Sequence, residues 1–560
     1  MKKLPIGIDN FKELVEKDCY YADNSSLLQQ LENSGAKVTL ITRPRRFGKT
    51  LTLSMVNCFY NVKENSRGLF AGLQVEGQPI FADAAYYPVL FFSMKELKDS
   101  AWETTYRGIQ MLMADLYTQN HEVMSKLEEH ERSYYTKIMQ QTSDEKELQM
   151  SLKKLTEYLE RYYQKKVIVL IDEYDTPIIS GYSHGYFEQV IGFMRNYLSA
   201  ALKTNPSLNF ALLTGITRVS KENIFSGLNH LKIASVMNGV YGDQLGFSER
   251  QVEQMLDYYG LGDKKRDVKN WYNGYNFGKY EVYNPWSILN FIDRQGTFGL
   301  YWVNTSSEDL IKLVLRKNVD YCRAELEKLI AGDTIETVID EHVNYNILET
   351  EKEKVWSLFV QSGYLNIAQH KVTAIDDPNW GQLEQTSHIV KIPNREIRIL
   401  YINIIRKWLD ESAGSTVISR MLKELTEGDL DAFREMFSDV VLQYFSYYNV
   451  SSDKSEQFYH AFALGLFVQL VDRYEVRSEP ESGYGRIDLL LTPRDKSKRG
   501  IIIELKRMKA ADRDVEAAAR DALAQIDVKR YEAELVKTGV SNIVKIGIGF
   551  MGKSCTVLIS

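Results

Sequence analysis

Short apolar runs alternate with amphipathic stretches along the first 235 residues. Val38–Ile41 is a continuous apolar run, the pattern of a buried strand, and Leu51–Tyr60 behind it has helical spacing. Further strands are expected at Pro88–Phe92, Val167–Ile171 and Asn209–Leu213, with long amphipathic helices filling residues 100–164. A short lead-in carries helical patterns around Phe11–Val15 and Ser26–Leu31. Strands that alternate with helices specify an α/β fold with a parallel sheet. Ligands on such sheets collect at the carboxyl ends of strands. Three polar clusters fall there: Gly48-Lys49-Thr50, Asp172-Glu173-Tyr174-Asp175 and Thr214-Gly215.

After about residue 235 the pattern changes. Residues 245–300 read as helical, with the aromatic stretches Trp271–Tyr275 and Tyr283–Trp286. Residues 300–425 read as mixed and helix-rich, including Glu351–Val360 and Ile397–Leu409. An apolar helix at Glu456–Leu470 then leads into strands at Ile487–Leu491, Gly500–Leu505 and Val544–Gly549, with a helix at about Val515–Ala533. The expected divisions are a parallel-sheet domain over 1–235, a helical lid over 236–300, a helix-rich middle region over 301–425 and a separate α/β domain over 426–560. The 560 residues allow about three to five domains, which fits that division.

Composition narrows the function classes. At 44% hydrophobic and 26% charged the chain can build ordinary cores, which excludes disorder, collagen and a disulfide scaffold. A net charge of −6 excludes a chain that is basic throughout, so any nucleic-acid contact must come from local basic patches. Cys19, Cys58, Cys322 and Cys555 lie far apart with no C-x-x-C pair, the usage of free thiols in a reducing cytosol. No stretch approaches the ~18 apolar residues of a membrane span, and Pro5, Gly7 and Asp9 interrupt any leader-like run. A cytoplasmic protein without membrane contact is expected. The 35 tyrosines follow no repeat and read as packing and surface contact.

Gly48-Lys49-Thr50 between a strand and a helix has the form of a phosphate-binding P-loop. Such a turn aims backbone N–H groups and the helix dipole at phosphate oxygens. Lys49 would reach the β/γ-phosphates of ATP, and the Thr50 hydroxyl would ligate Mg²⁺; Arg46 and Phe47 complete the loop. The usual pattern places glycine five positions before Gly48, where this chain has Arg43. The apolar strand ending in Asp172-Glu173 supplies the Walker B element, with Asp172 holding Mg²⁺ and Glu173 orienting the attacking water. Each element alone is ambiguous; the two in order, each on a strand end, specify a nucleotide site. Thr214 and Arg218, at the end of the following strand, are placed to sense the γ-phosphate.

In the carboxyl-terminal region, Glu504 and Lys506 lie two apart on one strand and share a face. A hairpin would set Asp488 across the ladder from them. Two carboxylates and the Leu505 carbonyl make a hard oxygen site suited to Mg²⁺ or Mn²⁺, and the lysine can orient or deprotonate a water that attacks a phosphodiester. Glu456 opens the preceding helix, with His460 one turn later on the same face. The tripeptide Glu-Leu-Lys carries no information alone, since it recurs at Glu96-Leu97-Lys98; the apolar strand leading into Glu504 does. The loop Pro493–Gly500 carries Arg494, Lys496, Lys498 and Arg499, which suits a phosphate backbone and equally a solvated hairpin tip.

The chain resembles bacterial proteins that join an AAA-ATPase-like domain to a carboxyl-terminal PD-(D/E)XK nuclease-superfamily domain. The matching stretches include Arg43-Pro44-Arg45-Arg46-Phe47-Gly48-Lys49-Thr50, Leu170-Ile171-Asp172-Glu173-Tyr174-Asp175 and Thr214–Arg218 through Ser226-Gly227-Leu228. Further matches are Trp271–Tyr275, Tyr283–Ser287 and Ile392-Pro393-Asn394. The Arg43 substitution is typical of that family. Asn24 departs from it, since relatives carry lysine there, which puts a nucleotide contact by that segment in doubt. The resemblance implies a restriction-endonuclease-like tail whose core motif is Asp488, Glu504 and Lys506, with Glu456 on the preceding helix and Gln525 and Tyr531 matching a helix motif of related nucleases. The expected function is an enzyme: an ATP-hydrolysing, metal-dependent nuclease under nucleotide control, acting on DNA or RNA. The alternatives are a nucleotide-switched scaffold that binds nucleic acid or protein without cutting, and an ATPase whose tail stabilises a homo-oligomer. The full catalytic set of carboxylates and lysine favours the enzyme, because a scaffold has no need of it.

Overall fold

The computed structural model describes the chain except residues 65, 219–230, 303–321, 323–324, 327, 331, 342–350, 378–380, 402, 404–415, 448–455, 468–469, 471–472, 479–480, 483–484 and 509–513. Two compact units emerge: Met1–Tyr321 with Glu336–Asn394, and Cys322–Ile335 with Arg395–Ser560.

The first unit is built on five parallel strands: β1 (Val38–Thr42), β2 (Val89–Ser93), β3 (Val167–Asp172), β4 (Leu208–Gly215) and β5 (Leu231–Ala234). Their order is β2-β3-β4-β1-β5. β1 and β3 are buried along their whole length, which is why their sequences are mostly apolar instead of alternating, with Thr39, Thr42 and Asp172 the polar exceptions. Helix α1 (Lys49–Tyr60) starts directly behind β1, and its Leu53, Val56 and Phe59 share a core cluster with Ile168, Leu170 and Leu212 of the sheet. Alternation along β3 leaves Val169 and Ile171 for the opposite face. Helices Trp102–Gln119, Glu145–Tyr163 and Phe187–Leu202 pack on β2, β3 and β4 respectively. The order has one consequence for function: β4 lies between β1 and β3, so Thr214 sits between the two motif-bearing strand ends.

The stretch expected to be helical over 245–300 also contains a small antiparallel sheet, ordered Phe247–Ser248, Tyr280–Tyr283, Tyr275–Phe277. Its hairpin turns through Gly278 at φ 56, a conformation glycine adopts without a Cβ penalty, and its strands are aromatic-rich. The middle region likewise holds a long hairpin, Asn366–Asp377 against Gly381–Lys391, whose Val372, Thr373 and Ile375 favour extended backbone. The helix expected at Glu351–Val360 is Val355–Gln361 with a short 3₁₀ turn before it. The helix expected at Ile397–Leu409 lies largely outside the described residues, as does Ser226-Gly227-Leu228.

The second unit carries a mixed sheet of β6 (Tyr474–Ser478), β7 (Leu489–Pro493), β8 (Gly500–Arg507), β9 (Ile543–Met551) and β10 (Ser554–Ile559), in that order. Only the central β8–β9 pair is parallel. Helix α2 (Glu456–Phe467) precedes the sheet, and α3 (Val515–Val528) joins β8 to β9. The expected helix to Ala533 is instead broken at Arg530, whose φ is 53, and the break turns Tyr531 into a cluster with Ile487, Leu490, Ile502 and Ile526. Close approach of α3 to β9 depends on Gly547 and Gly549. A Cβ on Gly547 would lie 2.4 Å from the Ala519 carbonyl oxygen and 2.6 Å from Leu523 N, both helix backbone that cannot swing aside. Gly547→Ala is expected to destabilise this unit by about 1–3 kcal/mol through overpacking. An unchanged urea midpoint would contradict that packing.

All four cysteines are free. Among the described residues no helix is long and apolar enough to cross a membrane.

Candidate active sites

The first site forms where β1, β4 and β3 end. Gly48 has φ 79, which lets the chain turn from the loop into α1 with Lys49 as the first helical residue. The Lys49 ammonium is buried and donates to the Arg43 and Pro44 carbonyl oxygens, both at 2.9 Å. Burial lowers its pKa to about 8, although the Glu173, Asp172 and Asp175 carboxylates pull the other way. Thr50 Oγ1 donates to Asp172 Oδ2 at 2.8 Å, and Thr214 Oγ1 donates to Asp172 Oδ1. Asp172 is 1% exposed, and burial raises its pKa against these two hydrogen bonds. The ends of β3 and β4 and the first turn of α1 thus converge on one carboxylate. Glu173 follows at φ 51, a left-handed backbone that few non-glycine residues adopt, with Thr176 Oγ1 donating to its carboxylate at 3.2 Å. Such outliers concentrate at functional positions.

Arg43, at the missing glycine, is fully buried. Its guanidinium donates to the carbonyls of Thr42 (2.9 Å), Ala234 (2.7 Å) and Val240 (2.7 Å), and lies 4.7 Å from the centre of the Phe277 ring. It straps the loop to β5 and to the small hairpin, a role that the sequence disguised as a defective motif. Phe47 is buried edge-on against Tyr275 and Phe277, so it anchors the loop from below. Asp175, also buried, accepts from Ile216 N and Thr217 N at 2.9 Å each and from Thr217 Oγ1 at 3.0 Å, tying β3 to the chain beyond β4. Arg218 is engaged elsewhere: its Nη1 pairs with Glu341 at 3.5 Å and its backbone N–H donates to Gln361 Oε1 at 3.3 Å. Asn24 Oδ1 accepts from Gln251 Nε2 at 3.0 Å. The donor set fits ATP with a hard cation: a buried ammonium and helix N–H groups for phosphate, and a hydroxyl next to a carboxylate for Mg²⁺.

The second site lies on β8. Register pairs Leu489 with Ile503, which puts Asp488 one step further on, opposite Glu504. Asp488 Oδ2 accepts from Leu505 N at 2.7 Å, and Asp488 N donates to Glu504 Oε2 at 3.4 Å, so the two carboxylates are held side by side. Glu504 is 2% exposed, and Gln525 Nε2 of α3 donates to its Oε1. Lys506 Nζ lies 3.8 Å from the same oxygen. Gln525 Nε2 also reaches the Tyr531 hydroxyl at 3.4 Å, where burial and both acids raise the phenol's pKa. His460 Nε2 meets the Asp488 carbonyl at 3.0 Å. Glu456 begins α2, but its side chain lies outside the described residues. Two adjacent hard carboxylates fit Mg²⁺ or Mn²⁺; among the described residues no third His, Cys, Asp or Glu joins them. The glycines that admit α3, and with it Gln525, are the contribution that strand and helix patterns did not reveal. Their signal was small residues two apart on one face of β9.

The basic loop between β7 and β8 is partly neutralised. Lys498 lies 3.6 Å and Arg473 3.5 Å from Glu427, and Arg499 Nη1 donates to the Leu425 carbonyl at 3.2 Å.

Comparison with known proteins matches each of the two regions to a family model. Residues 5–225 match the family model described as Predicted AAA-ATPase, an AAA-ATPase-like domain. Residues 454–559 match that of the PD-(D/E)XK nuclease superfamily. Across 511 residues the chain is 27% identical to a protein of Azotobacter chroococcum mcd 1 that is described as an uncharacterized protein in the vnfD 5′ region, with 87% of this chain and 86% of that one covered.

Proposed function

We propose, from the premise that this chain joins an AAA-ATPase-like domain to a PD-(D/E)XK nuclease-superfamily domain, that it is an ATP-hydrolysing, metal-dependent nuclease under nucleotide control. The observation that carries this reading is the pairing of Asp488 with Glu504 across the ladder, beside Lys506 and under Gln525 of α3, in a chain whose other unit gathers Thr50, Asp172 and Thr214. A structural strand end has no need of two carboxylates held against each other.

In the ATP site, Lys49 exchanges the Arg43 and Pro44 carbonyls for β/γ-phosphate oxygens. Thr50 and Asp172 would hold Mg²⁺, Thr214 orients Asp172, and Glu173 would position the attacking water. In the nuclease site, Asp488 and Glu504 would hold Mg²⁺ or Mn²⁺, Gln525 fixes the Glu504 rotamer, and the Lys506 ammonium would orient the attacking water. The hard cation supplies neutralisation of charge on phosphate oxygens at both sites. Glu456, the first residue of α2, would add a further carboxylate. Phosphodiesters of DNA or RNA are the substrate class.

Glu173→Gln should retain ATP binding and slow hydrolysis by about 100-fold or more, because general-base and water-positioning groups contribute on that scale. Parental turnover in a phosphate-release assay would remove Glu173 from this role. The pKa of Lys49 also predicts a pH response. Phosphate requires the ammonium, whose proton is lost from the nucleotide-free protein as pH rises through about 8. ATP affinity should therefore fall above pH 8, with proton uptake on binding visible as a buffer-dependent heat in calorimetry. An affinity flat from pH 7 to 9.5 would contradict it.

A further inference from the structure

The two arginines next to the phosphate-binding lysine are treated differently by the fold. Arg46 holds a left-handed backbone at φ 66, two residues before Gly48, and its guanidinium lies 4.4 Å from the centre of the Trp286 ring. Trp286 is itself fixed, donating from Nε1 to the Tyr301 carbonyl at 2.8 Å. The same segment grips the loop backbone at Arg45, whose carbonyl accepts from Trp302 Nε1 at 3.1 Å and from Asn284 Nδ2 at 3.4 Å. Asn284 is fully buried and caps the helix Pro285–Asp293. One element thus holds the loop by its main chain and Arg46 by its charge.

That charge lies near the reaction centre. Partial burial lowers the Arg46 pKa and Arg45 adds to the effect, while the Glu173 and Asp9 carboxylates oppose it. Glu173 is the residue that follows Asp172, where the terminal phosphate and its water would lie. A cation–π contact at an exposed site is weaker than a charge-assisted contact to phosphate. An arriving terminal phosphate therefore outcompetes the indole for Arg46.

We propose that Arg46 is a second phosphate-binding cation, parked on Trp286 in the nucleotide-free protein and transferred to the terminal phosphate of a nucleoside triphosphate. The Asn284–Trp302 segment then reads the presence of that phosphate. This rests on the assignment of the Lys49 loop as the ATP site, and it goes further by giving the site a means of distinguishing triphosphate from diphosphate.

The test uses the full chain with ADP and with a non-hydrolysable ATP analogue, followed by calorimetry and by tryptophan emission. Arg46→Ala should weaken the triphosphate analogue by about tenfold or more while changing ADP affinity by less than about threefold. Arg46→Lys should recover part of that preference. The analogue should change tryptophan emission in the parent, ADP should not, and Trp286→Phe and Arg46→Ala should each remove the change. If nucleotides bind, Lys49→Ala weakens both, and Arg46→Ala has no effect or affects both equally, the inference is overturned while the ATP site stands. An emission change that persists in Trp286→Phe also overturns it. If neither nucleotide binds the parent protein, both the inference and the ATP assignment fall.

Discussion

Glu504→Gln should reduce divalent-dependent cleavage by about 100-fold or more while leaving ATP hydrolysis at the parental rate. The substitution keeps the shape of a side chain that is 2% exposed and retains an oxygen for Gln525, at the loss of the long 3.4 Å contact from Asp488 N, so the fold changes little. It removes the negative charge that, with Asp488, would hold the cation, and electrostatic stabilisation of a developing phosphate charge is worth about 100- to 1,000-fold per group. Asp488→Asn should behave in the same way, since an amide oxygen can still accept from Leu505 N. Hydrolysis is spared because Lys49, Asp172 and Glu173 belong to the other compact unit. Parental cleavage by both variants, measured on the same preparation, would mean that these carboxylates are structural.

Lys49→Ala should weaken ATP binding by roughly 10- to 150-fold, the loss of one charge-assisted contact of about 1.5–3 kcal/mol. The ammonium is buried and, among the described residues, is held by two carbonyl oxygens 2.9 Å away instead of by a carboxylate. Burying a cation in that way is costly, so alanine should leave stability unchanged or raised. Lost affinity with preserved stability is the signature of a group retained for binding. Calorimetry giving parental ATP affinity in Lys49→Ala would remove the phosphate-loop assignment, and a large drop in unfolding midpoint would recast Lys49 as a strut.

The sequence announced most of the fold wherever burial was one-sided or complete. β1 and β3 are largely apolar and β8 opens on the run Ile501–Ile503, so their existence and the polar residues at or near their ends were readable without coordinates. β5 escaped notice because Leu231–Ala234 is short and carries Lys232. The Tyr275–Tyr283 hairpin was masked by aromatic residues that suit helix cores and strands alike, and only Gly278 gave it away. Of the candidate sites, the acids and lysines were visible from strand-end position, whereas their supports came from elsewhere in the chain. Arg43 bonds to Ala234 and Val240, and Arg45 to Trp302 and Asn284, pairings that no local spacing encodes. Gln525 reaches Glu504 only because Gly547 and Gly549 admit the helix.

The central claim is cleavage, and one measurement tests it most directly. Purified full-length protein is incubated with supercoiled plasmid, single-stranded DNA and RNA, in Mg²⁺ or Mn²⁺, with and without ATP. The account predicts scission of at least one substrate that requires the divalent ion, changes with ATP and disappears in Glu504→Gln. Intact substrates under every metal and nucleotide condition would contradict it and favour a nucleotide-switched scaffold that binds without cutting.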